Sequence, residues 1–214
     1  FELTDSSASG NSGDLARGTA LLYNISDTAA AVFSNSGLME ASGATNTAQK
    51  ATALTITDAI TVDQAADVNT KRTGLTTTTF AIEDSVSEYA TITTAMTSAA
   101  TSVKLKDSLT NLDSASDANK TAVNGFVVTG TVDPASTSDV TKVNALTALT
   151  GKTNSYTLTS STYAELTSST SGVSTAVANA SALTISDAVT VAQFNTLDAA
   201  TTATISASTL QGTV

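Results

Sequence analysis

The chain has 214 residues, 9 of them basic and 19 acidic, for a formal charge of −10, and it contains neither Cys nor His. That balance excludes the concentrated basic face needed by a nucleic-acid partner or an anionic lipid surface, while the two missing residue types exclude disulfides, soft-metal sites and an imidazole base. Hydrophobic residues reach 41% against 13% charged, too apolar for charge-driven disorder, yet no run of about 18 apolar residues is present to form a transmembrane segment.

The chain begins at Phe1, which reads as a processed mature form or an excised segment. Residues 1–20 are expected to be an irregular N-terminal arm or cap, because Ser6-Ser7-Ala8-Ser9-Gly10-Asn11-Ser12-Gly13 is polar and rich in turn formers. From Leu21 to Asp27 apolar and polar residues alternate, which predicts a strand. Small polar residues then dominate 34–50, an expected surface excursion.

At Ala53 a ten-residue phrase begins, Ala53-Leu54-Thr55-Ile56-Thr57-Asp58-Ala59-Ile60-Thr61-Val62, and it returns as Ala182-Leu183-Thr184-Ile185-Ser186-Asp187-Ala188-Val189-Thr190-Val191 with eight positions identical. A reused phrase of this length calls for a search for weaker copies. Seven align, starting at Tyr23, Leu54, Phe80, Val103, Phe126, Tyr156 and Leu183, with spacings of 31, 26, 23, 23, 30 and 27 residues. Their third column is aliphatic throughout: Ile25, Ile56, Ile82, Leu105, Val128, Leu158 and Ile185. The fifth reads Asp27, Asp58, Asp84, Asp107, Gly130, Ser160 and Asp187, and a small residue follows each time.

Period-two alternation in Leu54-Thr55-Ile56-Thr57 predicts a strand, and the Asp with its small neighbour predicts a turn. Thr61-x-x-Gln64 and Thr190-x-x-Gln193 then have the form of a capping box opening a helix. Val191, Phe194 and Leu197 recur at helical spacing, as do Val140, Val143, Leu146 and Leu149 behind Ser138 as a cap. Thr-rich returns such as Gly74-Leu75-Thr76-Thr77-Thr78-Thr79 lead into the next strand. Pro134 falls just after a strand, where a missing amide does little harm.

A unit of 23 to 31 residues cannot bury its own apolar face, but stacked units cover one another. The fold expected is therefore mainly β with short helices: a β-solenoid of strand–turn–helix repeats over 21–214, about seven rungs, with a β-sandwich as the alternative. Parallel stacking at about 4.8 Å per rung would line the third column up as one interior row.

The wording Leu-Thr-Ile-Ser-Asp-Ala-Val-Thr-Val-Ala-Gln from Leu183, continued by Asn195-Thr196-Leu197-Asp198-Ala199-Ala200-Thr201-Thr202, resembles the repeats of the very large Ala/Thr/Asp-rich cell-surface proteins of marine cyanobacteria. The likeness is closest over 182–207, good over 53–74 and pattern-deep over 80–172. It implies a secreted, repetitive surface or adhesion protein.

Asp27, Asp58, Asp84, Asp107 and Asp187 are the candidate metal ligands. Stacked on adjacent rungs, their carboxylates would lie within about 5 Å of each other and call for a hard cation such as Ca2+. The competing reading has each Asp cap its turn by accepting from backbone amides. Glu83, Asp84 and Glu88 are close in sequence, but an acid/base pair needs two carboxylates facing one pocket, and a solvated turn suits them better. Lys104 and Lys106 flank Leu105 and should lie on the outer strand face. Asn124-Gly125 reads as a turn entering a strand. Tyr156 and Tyr163 offer an aromatic patch for glycans, although Tyr156 sits in the first, core-facing column.

These features lead to a non-enzymatic, extracellular structural protein that self-associates into a homopolymer, a surface filament or layer, through residues 1–20 and the tail Thr209-Leu210-Gln211-Gly212-Thr213-Val214. The alternative is an adhesin or phage-fibre-like module that binds a glycan or cell-surface receptor.

Overall fold

Leu54, Ile56 and Ile60 are buried, whereas Thr57 between them is exposed. One face of the strand is thus inward and the other faces water, and the same alternation recurs at Val103, Lys104, Leu105 and Lys106 and at Leu183, Thr184, Ile185 and Ser186. The computed structural model describes residues 24–33, 51–71 and 77–212, with nine strands among them. The expected arm at 1–20 and the excursion at 34–50 lie outside the described residues. Contacts group the chain into two compact units, Phe1–Val103 and Lys104–Val214.

In the first unit β1 (Asn24–Asp27) leads into α1 (Ala29–Val32), β2 (Ala53–Ile60) into α2 (Val62–Lys71), and β3 (Thr77–Asp84) into α3 (Val86–Tyr89) and α4 (Thr94–Ala99). The strands pair in parallel, β1 with β2 and β2 with β3. Val62, Ala65 and Val68 are the buried residues of α2, a period of three that places one apolar stripe inward.

Along the chain, β4 (Ser102–Ser108) enters the second unit and is followed by α5 (Leu109–Ser114), α6 (Asp117–Ala122), β5 (Gly125–Thr129), α7 (Thr137–Thr147), β6 (Thr153–Ser155) and β7 (Thr157–Ser161). Next come α8 (Tyr163–Leu166), α9 (Val173–Asn179), β8 (Ala182–Thr190), α10 (Val191–Asp198) and β9 (Thr204–Gln211). Again the pairing is parallel, in the orders β4-β5-β6 and β7-β8-β9. A parallel bridge from Val132 to Leu158 ties the two ladders together: Val132 N donates to Thr157 O at 3.2 Å and Thr159 N to Val132 O at 3.4 Å.

Mixed strands and short helices with parallel sheets are therefore the architecture. Every strand pair described within each unit is parallel, so the antiparallel pairing of a β-sandwich is not used there. Parallel neighbours need a crossover, and the short helices supply it.

Several local expectations change. The chain does not turn at Asp58 or Asp187: β2 and β8 run through them, and the ladder absorbs the extra residues as register shifts between Thr55 and Ala59 and between Ile185 and Ala188. Nor do the third-column residues form one row. Ile25 faces Leu54, Ile82 faces Ile60, Leu105 faces Phe126 and Leu158 faces Leu183. Residues two apart share a strand face, so a slip of two keeps the apolar side inward while changing every partner. Helix α7 opens at the N-cap Ser136, two residues before Ser138. In α10 only Leu197 of the stripe is buried, and Val191 is 46% exposed. Gly125 is a buried strand residue opposite Thr153 rather than a turn. β9 is a strand where a tail was expected; alternation of Ile205 and Ala207 with Thr204, Ser206 and Ser208 was the signal for it.

Candidate functional site

The aspartates sort by their distance from the next helix. Asp27, Asp84 and Asp107 directly precede the N-cap residues Thr28, Ser85 and Ser108, whereas Asp58 and Asp187 stand three residues before Thr61 and Thr190. In the first class the carboxylate folds onto the adjacent amide, with Asp27 Oδ1 accepting from Thr28 N at 2.8 Å, Asp84 Oδ1 from Ser85 N at 2.8 Å and Asp107 Oδ1 from Ser108 N at 2.7 Å. Asp107 Oδ1 also accepts from Asn111 Nδ2 at 2.8 Å.

A second set of bonds joins successive strand–helix units. Asp58 Oδ1 on β2 accepts from Ala29 N at 2.6 Å, Asp84 Oδ2 on β3 from Val62 N at 2.8 Å, and Asp187 Oδ1 on β8 from Tyr163 N at 3.0 Å. Each of these amides is the first of the helix that follows the preceding strand: α1, α2 and α8. Register explains the selection. Asp27 faces Ile56, so two residues on Ala29 comes opposite Asp58; Ser161 faces Ile185, so Tyr163 comes opposite Asp187; Ile60 faces Ile82, so Val62 comes opposite Asp84. A carboxylate there satisfies an orphan helix amide and meets the positive end of the helix dipole. The need is clear at α1, whose own N-cap Thr28 makes no side-chain cap bond.

Where the carboxylate is missing, glycine stands in its place. Ser108 faces Thr129, which brings Gly130 opposite Leu109, the first residue of α5; Thr190 faces Gln211, which brings Gly212 opposite Val191, the first residue of α10. Local caps are present at both sites, Ser108 Oγ accepting from Asn111 N at 3.2 Å at the first. Thr190 Oγ1 accepts from Gln193 N at 3.2 Å while Thr190 N donates to Gln193 Oε1 at 2.9 Å, the capping box read from the sequence. Thr61 and Gln64 do the same at 3.2 and 3.0 Å.

Carbonyl ends are tied by lysines, a role that the sequence did not disclose. Lys152 Nζ donates to Thr121 O at 2.6 Å and also to Val123 O, closing the end of α6, and Lys120 Nζ donates to Asp113 O at 2.5 Å near the end of α5. A cation at a helix C-terminus is the electrostatic counterpart of the carboxylate at the N-terminus.

Within either unit no described ladder sets one of the five candidate aspartates opposite another, and among the described residues no group of three or more acidic side chains gathers around a site for an ion. Each of the five carboxylates accepts from at least one main-chain amide, the geometry of the capping reading. Asp84 has both oxygens engaged by main-chain amides; Glu88 lies exposed in the first turn of α3, where Glu88 N donates to Ser85 Oγ at 3.1 Å. Lys106 is exposed and Lys104 half-buried beside buried Val103 and Leu105, as alternation predicts.

Tyr156 is 2% exposed, and its hydroxyl donates to Ala176 O at 2.6 Å. Burial pushes that phenol well above its ordinary range. It is a core residue, and the aromatic patch with half-buried Tyr163 is not formed. Among the described residues no helix is long and apolar enough to cross a membrane. Comparison with protein-family profiles, with curated proteins and with solved structures finds no match.

Proposed function

We propose that the chain is a non-enzymatic, extracellular structural protein whose repeats wind as a solenoid of strand–helix coils and whose copies assemble into a surface filament or layer. The observation that carries this reading is the rung-to-rung cap: Asp58 on Ala29, Asp84 on Val62 and Asp187 on Tyr163. Each rung completes the helix of the rung before it, which couples neighbours through side chains as well as through the main-chain ladder. Strand order also supports a coil. Within each unit neighbouring strands follow the order of the sequence, and crossovers of one hand carry all their helices to one side of the sheet. Neither unit forms a closed barrel in this arrangement, so an open stack is the form that such winding takes.

The role follows from that construction. Ladder bonds and caps act in parallel along the stack, and an acidic surface rich in Ser and Thr keeps it soluble in salt. The likeness of 182–207 to cell-surface repeats agrees with an extracellular setting. Negative-stain electron microscopy of the purified chain over a range of concentrations tests the assembly: filaments or ordered sheets are the expected outcome, and uniformly single particles at every concentration would overturn it.

A further inference from the structure

Asn124 is followed by Gly125, and no other asparagine in the chain precedes a glycine. The main-chain nitrogen of the next residue can attack an asparagine side-chain carbonyl carbon, and glycine, which has no Cβ, leaves that approach unhindered. Asparagine is thermolabile for this reason.

At this pair, reactivity meets a constraint of the fold. Asn124 is exposed, whereas Gly125 is the buried first residue of β5. β5 lies between β4 and β6, with Gly125 opposite Lys104 on one side and Thr153 on the other. Asn124 O accepts from Thr153 N at 3.0 Å, which turns that carbonyl toward β6. No described peptide bond is cis, and the C=O and N–H of a trans peptide point opposite ways. Gly125 N–H is therefore turned toward β4 at Lys104, and the attacking nitrogen is held inside the ladder.

We infer that Asn124 is a site of spontaneous deamidation gated by β5: the reaction is held off while Gly125 is paired and proceeds when the start of β5 opens. Gly125 N gives its proton to solvent base and forms a bond to Asn124 Cγ. The Cγ–Nδ2 bond breaks, and Nδ2 takes a proton from water and leaves as ammonia. Water then opens the cyclic imide at either carbonyl. Opening at Cγ gives aspartate on an ordinary main chain; opening at the main-chain carbon gives isoaspartate, whose chain runs through Cβ and Cγ.

The isoaspartate form does not return to the ladder in register. Its former main-chain carbonyl, the group that accepts from Thr153 N, becomes a free carboxylate beside the chain, and the main chain gains one carbon, about 1.5 Å of contour. Gly125 has no slack to absorb that length. A Cβ built on it would lie 1.9 Å from Thr153 O, so β5 and β6 meet there with room for hydrogen alone. An opening that reacts is kept as a permanent break between the two strands. This inference is independent of the assembly reading.

The test holds the full-length chain at mildly alkaline pH, folded in one arm and in urea in the other. Peptide mass spectrometry follows each asparagine, with isoaspartate resolved by chromatography. In urea Asn124 should convert ahead of every other asparagine, and in the folded arm its conversion should be slower by about tenfold or more. Conversion in urea no faster than that of Asn154, which precedes Ser155, would overturn the site; equal rates in the two arms would overturn the gate. Asn124→Gln, whose longer side chain closes a ring reluctantly, should abolish conversion, and conversion there at the wild-type rate would also overturn the site. Asn124→Asp carries the new charge on an ordinary main chain and should melt close to wild type, whereas the aged isoaspartate fraction should melt lower. Equal melting of that fraction and Asn124→Asp would overturn the break between β5 and β6.

Discussion

The carboxylate of Asp58 accepts a hydrogen bond at 2.6 Å from the main-chain amide of Ala29, a residue 29 positions earlier in the chain and the first of α1. A helix of four residues cannot satisfy its own opening amides, and the next strand supplies what it lacks.

Removing such a cap leaves a partly buried amide without its partner. Asp58→Ala and Asp187→Ala should each cost about 1–2 kcal/mol. Asp84→Ala should cost more, because Asp84 serves both Ser85 N and Val62 N. Asn substitutions retain an acceptor and should recover part of the loss. Urea denaturation of the six variants measures this, and equal stability of wild type and Asp84→Ala would refute the account.

A cap can also be added. Gly212 stands opposite Val191, and a Cβ built there meets nothing within 4 Å. Gly212→Asp should stabilise α10 and the strands beside it by about 0.5–1 kcal/mol, whereas Gly212→Ala, which supplies no acceptor, should give less. Amide hydrogen exchange at Val191 and Ala192 reports the difference directly.

Calcium should have little effect on the isolated chain, since each of the five aspartates accepts from a main-chain amide and no group of three or more acidic side chains gathers among the described residues. Melting curves with excess calcium and with EDTA should coincide. A rise of more than about 4 °C on adding calcium, the shift that roughly 1–2 kcal/mol of binding would produce in a chain of this size, would restore the metal reading.

Close approach of two strands makes Gly125 irreplaceable. A Cβ at that position would lie 1.9 Å from Thr153 O and 2.6 Å from Thr153 Oγ1. Gly125→Ala must push β5 and β6 apart, at a cost of about 2–4 kcal/mol. Because the nearer clash is with backbone, adding Thr153→Ala should rescue little of it; full rescue in the double mutant would place the conflict in the side chain instead.

Tyr156 links stability to alkaline pH. Burial raises its folded pKa above the unfolded value of 10.0, so the neutral phenol favours the fold. That contribution is whole below about pH 10 and is lost as pH rises past it, where the unfolded chain ionises and the folded chain does not. While the protein stays folded, ultraviolet titration of wild type and Tyr156→Phe should yield the same phenolate amplitude. An extra phenolate in folded wild type would show that Tyr156 ionises like an exposed residue.

Local features were legible in the residues themselves. Thr61 with Gln64 and Thr190 with Gln193 form their capping boxes because a cap and its partner are three residues apart, and the alternation around Leu105 sorts Val103 and Leu105 from Lys106 because a strand has a period of two. The same period hides the register. Aligning the copies on their Asp placed Ile25 with Ile56, but sliding a strand by two residues leaves its apolar face inward, and pattern alone cannot tell the slipped ladder from the true one.

Sequence by itself therefore determined the composition class, the repeating strand–helix unit and the face of each strand that turns inward, all properties of residues within a few positions of one another. Only the tertiary structure decided that Ile25 meets Leu54 and that the carboxylates of Asp58, Asp84 and Asp187 serve the helices that follow the neighbouring strands. Those relations join residues 22 to 29 positions apart, and they are set by how main-chain hydrogen bonds align neighbouring strands, a choice to which the period-two pattern is blind.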